Sequence, residues 1–188
     1  EVRAHLARGE QALEIVGLFA DQPAEEVNDT VERLSLDSVQ LCGSEGMAYA
    51  AQMTVAVYKV ISIDPNIPIS SQLPKVMVLQ QRHQLAGHGI VIDTKVAGEY
   101  GGTGQRFDWE LAAGLAEGFG MSLAGGLTPD NVGEAVAQVR PWGVDTSSGV
   151  ETDGEKDPAK IRAFVEAVRD ADAALARSPL KRLLGRGR

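Results

Sequence analysis

Short apolar runs alternate with helix-periodic stretches along nearly the whole chain, and this alternation constrains the fold more than any other feature. Ile15-Val16-Gly17-Leu18-Phe19-Ala20 reads as a buried strand, and Pro23 begins a first helical turn that runs on to Leu34. Ser38-Val39-Gln40-Leu41 is a shorter strand, and the β-branched run from Val55 to Ile63 is a third, broken by Asp64-Pro65-Asn66. Leu73–Leu85 reads as a helix, Gly89–Ile92 as a strand and Trp109–Glu117 as a helix. Met121–Ala124 is a fifth strand with a helix from Pro129 to Val139, and Gly143–Thr146 is a sixth with a final helix from Pro158 to Leu175. Strict alternation implies parallel strands joined by helical crossovers. The strand starts lie 23, 19, 32, 32 and 22 residues apart, with no linker or low-complexity segment between them. Two architectures meet this pattern: an open six-stranded doubly wound sheet, and three quarters of a (β/α)₈ barrel, which needs at least ~200 residues to close.

Charge and cysteine content narrow the partners. The 188 residues carry a formal net charge of −8. Arg177, Lys181, Arg182, Arg186 and Arg188 crowd into an acid-free end, which leaves 13 basic against 26 acidic residues in the first 176. Such an acidic body is a poor match for nucleic acid, whose phosphates call for a basic surface. Residues 177–188 read as a basic tail, either solvated and frayed or touching an anionic partner. Cys42 is the sole cysteine, so there is no internal disulfide framework or multi-cysteine zinc site, and a reducing, cytoplasmic setting is expected. No apolar run approaches the ~20 residues of a membrane span, and the charged stretch from Glu1 to Glu14 does not read as a secretory signal.

In parallel α/β folds ligands meet the carboxyl ends of the strands. After the fifth strand comes Gly125-Gly126-Leu127-Thr128-Pro129-Asp130-Asn131, where the glycines let backbone approach a ligand and Thr128 is placed to cap a helix opening at Pro129. After the sixth comes Ser147-Ser148-Gly149-Val150-Glu151, small residues whose backbone N–H groups can face an anion. As a consecutive pair the two loops read either as a phosphate cradle or as ordinary tight turns. Asp93 ends the fourth strand, where partial burial raises a carboxyl pKa toward general-acid use; the alternative is a turn residue. The glycine-rich run from Gly98 to Gln105 reads as a mobile lid or a plain loop, and neither GxGxxG nor GxxxxGK[ST] occurs. Asp145 is expected to be buried and hydrogen-bonded, orienting a substrate or satisfying backbone donors. Cys42 is expected to be a small packing residue, with no His close to it in sequence; His5, His83 and His88 fall away from the strand ends.

Three long stretches then match one family together. They are Asp93-Thr94-Lys95-Val96-Ala97-Gly98 continuing through Tyr100-Gly101-Gly102-Thr103-Gly104 to Phe107-Asp108-Trp109; Leu123–Val132; and Arg140-Pro141-Trp142 through Glu151. With Val16–Phe19 and Val39–Leu41, they resemble phosphoribosylanthranilate isomerase from about Ile15 to Val168. The resemblance implies a (β/α)₈ barrel of tryptophan biosynthesis that converts N-(5-phosphoribosyl)anthranilate to 1-(2-carboxyphenylamino)-1-deoxyribulose 5-phosphate by an Amadori rearrangement, without metal or cofactor. It implies Asp93 as the general acid, Gly125, Gly126, Ser147, Ser148 and Gly149 as the phosphate site, and Asp145 close to the substrate.

Two departures accompany it. The family's general base, a Cys in a Lys-x-Cys-Gly motif, has no match in this sequence, and neither does the arginine that grips the anthranilate carboxylate. The family usually has His where this chain has Cys42, which is thereby a candidate substrate contact on the wrong strand to be the base. The expectation is a barrel lacking its first two βα units, with roughly 45–60 residues missing at ~30 per unit. Such a chain is inactive as given, and in full length it is a monomer or homodimer acting on a phosphosugar, with no nucleic acid or membrane partner. The alternative is a non-catalytic phosphate-binding module, or a half-barrel completed by a second chain.

Overall fold

In the computed structural model, the structure describes residues 13–64, 66–94, 109–118 and 120–177. Six parallel strands alternate with helices. They are β1 (Val16–Phe19), α1 (Ala24–Leu34), β2 (Ser38–Leu41), α2 (Met47–Ala50), β3 (Ala56–Ile63), α3 (Ile69–Leu85), β4 (Gly89–Thr94), α4 (Trp109–Gly118), β5 (Ser122–Ala124), α5 (Val132–Val139) and β6 (Gly143–Val144). A 3₁₀ turn (Ser148–Val150), a two-stranded ribbon of β7 (Glu151–Thr152) and β8 (Glu155–Lys156), and α6 (Pro158–Arg177) complete it. The chain forms two compact units, one of residues 1–60 with 79–90 and one of residues 61–78 with 91–188.

In the first unit β1, β2 and β3 pair in parallel, with Gly17 opposite Val39 and Val39 opposite Val57. Val39 and Val57, with Leu41 two residues on from Val39, pack on Val27 and Val31 of α1 and Ala50 of α2, all of them buried. Val27 and Val31 are four residues apart and so share one helix face. Pro23 stands at the N-cap rather than inside the first turn, and its carbonyl accepts the Val27 N–H. Glu25 and Glu26 in the first turn and Arg33 in the last suit the helix dipole. Ser35 ends the helix in the left-handed region, and the Leu36 N–H reaches back to the Val31 carbonyl. β1 pairs with β2 alone among the described residues, and its Leu18 is 66% exposed.

In the second unit β4 pairs with β5 and β5 with β6, again in parallel. α5 turns Val132, Ala135, Val136 and Val139 inward, the i, i+3, i+4, i+7 spacing of one helix face. The helix begins at Val132, because Pro129 to Asn131 form a turn first. β6 is also shorter than its apolar run, since Asp145 and Thr146 are drawn into the following turn. α3 begins at Ile69, so that Pro74 lies within it. Among the described residues no helix is long and apolar enough to cross a membrane. Lys95, the run from Gly98 to Gln105, Phe107, Asp108, His5 and tail residues 178–188 lie outside the described residues.

Where α3 gives way to β4, His83 is 1% exposed and its Nδ1 lies 2.9 Å from Nδ1 of His88. Two ring nitrogens at that distance need one N–H and one lone pair, so the pair cannot hold both rings protonated. Burial first, then His88 and Lys59, push the His83 pKa down to about 4. The unfolded chain therefore binds a proton that the folded chain refuses. This stability is fully present above about pH 6.5 and should be lost as pH falls toward 4, by up to ~1.4 kcal/mol per pH unit. Thermal melts of wild type and His83→Gln over that range check it; the two curves should converge at the acid end.

Candidate active site at the strand ends of the second unit

Asp93, Ala124 and Asp145 form a lateral row at the carboxyl ends of β4, β5 and β6. Asp93 stands opposite Ala124 in register, and the Asp145 N–H donates to the Leu123 carbonyl at 2.9 Å, which continues the β5–β6 pairing by one residue. Residues level across a sheet share a face, and two strand spacings put the Asp93 and Asp145 backbones ~10 Å apart. Asp93 is half-buried beyond the fully buried Ile92. Asp145 is exposed, not buried as its apolar run implied, because β6 ends at Val144.

The turn after β5 needs its glycines, since Gly125 and Gly126 have φ of 92° and 63°. Asn131 stitches this turn together: its Oδ1 accepts the Thr128 N–H at 2.8 Å and its Nδ2 donates to the Gly126 carbonyl at 3.0 Å. Asn131, not Thr128, occupies the α5 cap position.

The turn after β6 is locked onto it. The Thr146 hydroxyl donates to the Leu127 carbonyl at 2.7 Å. A Cβ on Gly149 would lie 1.8 Å from that same oxygen, so only glycine fits there. Behind Ser147, Asp153-Gly154 close the β7–β8 ribbon with φ of 53° and 82°, as a two-residue hairpin turn requires. The ribbon returns Lys156 to Ser147, whose carbonyl and hydroxyl accept its ammonium at 3.0 and 3.1 Å, while Glu151 pairs with it at 2.6 Å. The five residues expected to hold phosphate thus lie on two fastened turns beside the Asp93–Asp145 row.

In the first unit Cys42 is exposed, not a packed residue, and lies just past β2 with its N–H on the Phe19 carbonyl. Next to it is a polar cluster that the sequence reading missed. Lys59 and Glu45 are 7% and 5% exposed and pair at 2.8 Å. A lysine in the otherwise apolar run Val57-Tyr58-Lys59-Val60-Ile61 was its one visible signal. Asn131, Thr146 and Lys156 were missed too; only Lys156 had a local sign, the Asp153-Gly154 turn before it. Among the described residues no three His, Cys, Asp or Glu side chains gather as a metal site.

Gly149→Ala should cost ~1–3 kcal/mol, because the clash is with backbone. It should also shift the Leu127 and Thr146 resonances as the two turns part. An unchanged melt and spectrum would show that the turns are not interlocked.

The family model for N-(5'phosphoribosyl)anthranilate (PRA) isomerase matches residues 1–167. The N-(5'-phosphoribosyl)anthranilate isomerase of Roseiflexus castenholzii is 42% identical over 173 residues, which cover 91% of this chain and 78% of that protein. The crystal structure of phosphoribosyl anthranilate isomerase from Thermotoga maritima superposes with a TM-score of 0.74 at 30% identity, covering 89% of this chain and 78% of that one. Another isomerase structure, solved in complex with reduced 1-(o-carboxyphenylamino)-1-deoxyribulose 5-phosphate, matches with a TM-score of 0.70 at 26% identity over 89% of this chain and 77% of that one. The chain belongs to the N-(5'-phosphoribosyl)anthranilate isomerase family.

Proposed function

We propose that this chain carries the acid and phosphate-binding part of a phosphoribosylanthranilate isomerase acting in tryptophan biosynthesis, and corresponds to units three to eight of the family's barrel. The observation that carries this reading is the pair of interlocked small-residue turns standing beside Asp93. Gly125, Gly126, Ser147, Ser148 and Gly149 hold the substrate phosphate with backbone N–H groups. Asp93 protonates the furanose ring oxygen, the C1–O bond opens, and a Schiff base to the anthranilate nitrogen forms. Removal of the C2 proton gives an enolamine, which tautomerises to the ketose. Asp145 faces the same row and orients the ribose portion; in the first unit, taken by itself, Cys42 at the end of β2 is the candidate substrate contact.

The base for the C2 proton and the arginine for the anthranilate carboxylate have no counterpart in this sequence, so turnover needs groups from outside these 188 residues. Losing a general base costs ~10²–10⁴-fold. The purified chain should show background turnover when anthranilate fluorescence is followed; clear activity would show that it carries a base of its own.

Residue roles are best read in a chimera that adds the part of the Roseiflexus castenholzii relative not covered by this chain. There Asp93→Asn should lower kcat with little change in KM, since Asn keeps the shape and cannot give up a proton. Ser148→Glu should raise KM by repelling the phosphate. If Asp93→Asn kept kcat, the acid would have to be sought at Asp145.

A further inference from the structure

The three donors of the buried Lys59 ammonium are all taken at and just beyond the end of β2. It donates to the Leu41 carbonyl at 3.2 Å, the Gly43 carbonyl at 2.7 Å and Glu45 Oε2 at 2.8 Å. The other Glu45 oxygen accepts the Asp21 N–H at 2.7 Å. Burial alone would push the Glu45 carboxyl up, but the Asp21 N–H and Lys59 together hold it below the ordinary glutamate range. Asp21 sits in the left-handed region, with φ 64°, and its Oδ1 accepts both the Ser44 N–H at 2.7 Å and the Ser44 hydroxyl at 2.8 Å. Gly43 leaves room for that carboxylate, since a Cβ there would lie 2.5 Å from it. One network thereby runs from Lys59 on β3 to the turn after β2 and, through Glu45 and Ser44, to Asp21 in the turn after β1.

A buried ion pair of this kind is a weak source of net stability, because desolvation offsets much of the attraction. What it supplies here is geometry, since the bonds of Lys59 to Gly43 and Glu45 and that of Glu45 to Asp21 end on two turns beyond the paired strand residues. We propose that Lys59 is a positioning residue for the substrate site: acting through Glu45 and Asp21, it holds the β1 and β2 turns in one conformation next to Cys42. This rests on the reading that Cys42 contacts substrate.

Lys59→Met alone strands the Glu45 carboxylate and is expected to destabilise strongly. The deciding variant is therefore Lys59→Met/Glu45→Leu, which removes both charges and should recover most of the melting temperature. In that variant the Asp21 and Ser44 amides should exchange at least ~10-fold faster than in wild type. The Leu41 and Cys42 amides, held by strand pairing, should keep their rates, and Cys42 should react severalfold faster with iodoacetamide. In the chimera described above, KM should rise severalfold with kcat moved less. Wild-type exchange at Asp21 and Ser44 together with wild-type alkylation of Cys42 would overturn the proposal. An inactive parent chimera counts against the isomerase reading alone, and the exchange and alkylation rates then decide the role of Lys59.

Discussion

Parallel pairing of the strands is the constraint on which everything else rests. A parallel neighbour cannot be reached through a tight turn, so each strand is followed by a crossover, and within each unit all carboxyl ends point the same way. The loops that leave those ends then gather side by side. In the second unit this brings Asp93, the Gly125-Gly126 turn and the Ser147–Gly149 turn together although 56 residues separate the first from the last. In the first unit the same rule sets Asp21 and Ser44 within hydrogen-bond reach.

The two sets of strand ends are fastened by different chemistry. The second unit joins its two turns by neutral bonds and close contact, with an Asn side chain across one turn, a Thr hydroxyl on the Leu127 carbonyl and a glycine pressed on that carbonyl, while the exposed Lys156 ammonium holds Ser147 from behind. This leaves the two turns without a buried carboxylate of their own, which is consistent with the anion-binding role proposed for them. The first unit uses a buried ammonium shared between two carbonyls and a carboxylate. Both devices hold loops that lack regular backbone pairing; the first unit anchors them on β3 through Lys59, and the second unit on the start of α5 through Asn131.

Much of the fold was legible in the sequence because it depends on local signals. Apolar runs marked all six strands, and 3.6-residue spacing marked α1, α5 and α6. The strand-end glycines and serines marked both turns. What was not legible depends on partners distant in the chain. Asp145 reads as buried when its run is taken alone, but the bond of Thr146 to Leu127, 19 residues away, draws the segment into a turn and leaves the carboxylate exposed. Cys42 looks like packing because it follows Leu41, yet strand alternation turns it away from the core that holds Leu41. Lys59 shows in the sequence only as an anomaly, because Glu45 and the Gly43 carbonyl complete it 14 and 16 residues away. The β7–β8 ribbon was the avoidable omission, since Asp-Gly is among the strongest short hairpin signals.

The Leu127 carbonyl has a further consequence. It receives the Thr146 hydroxyl and touches Gly149, so the segments on either side of it share one oxygen. A ligand that orders one segment thereby orders the other, and the entropy of fixing them is lost once, not twice. The same sharing makes energies non-additive: substitutions at Asn131 and Thr146, on different turns, act on one body and couple instead of summing. The phosphate affinity proposed for these turns would therefore be a property of the joined pair, with no separate share belonging to either one.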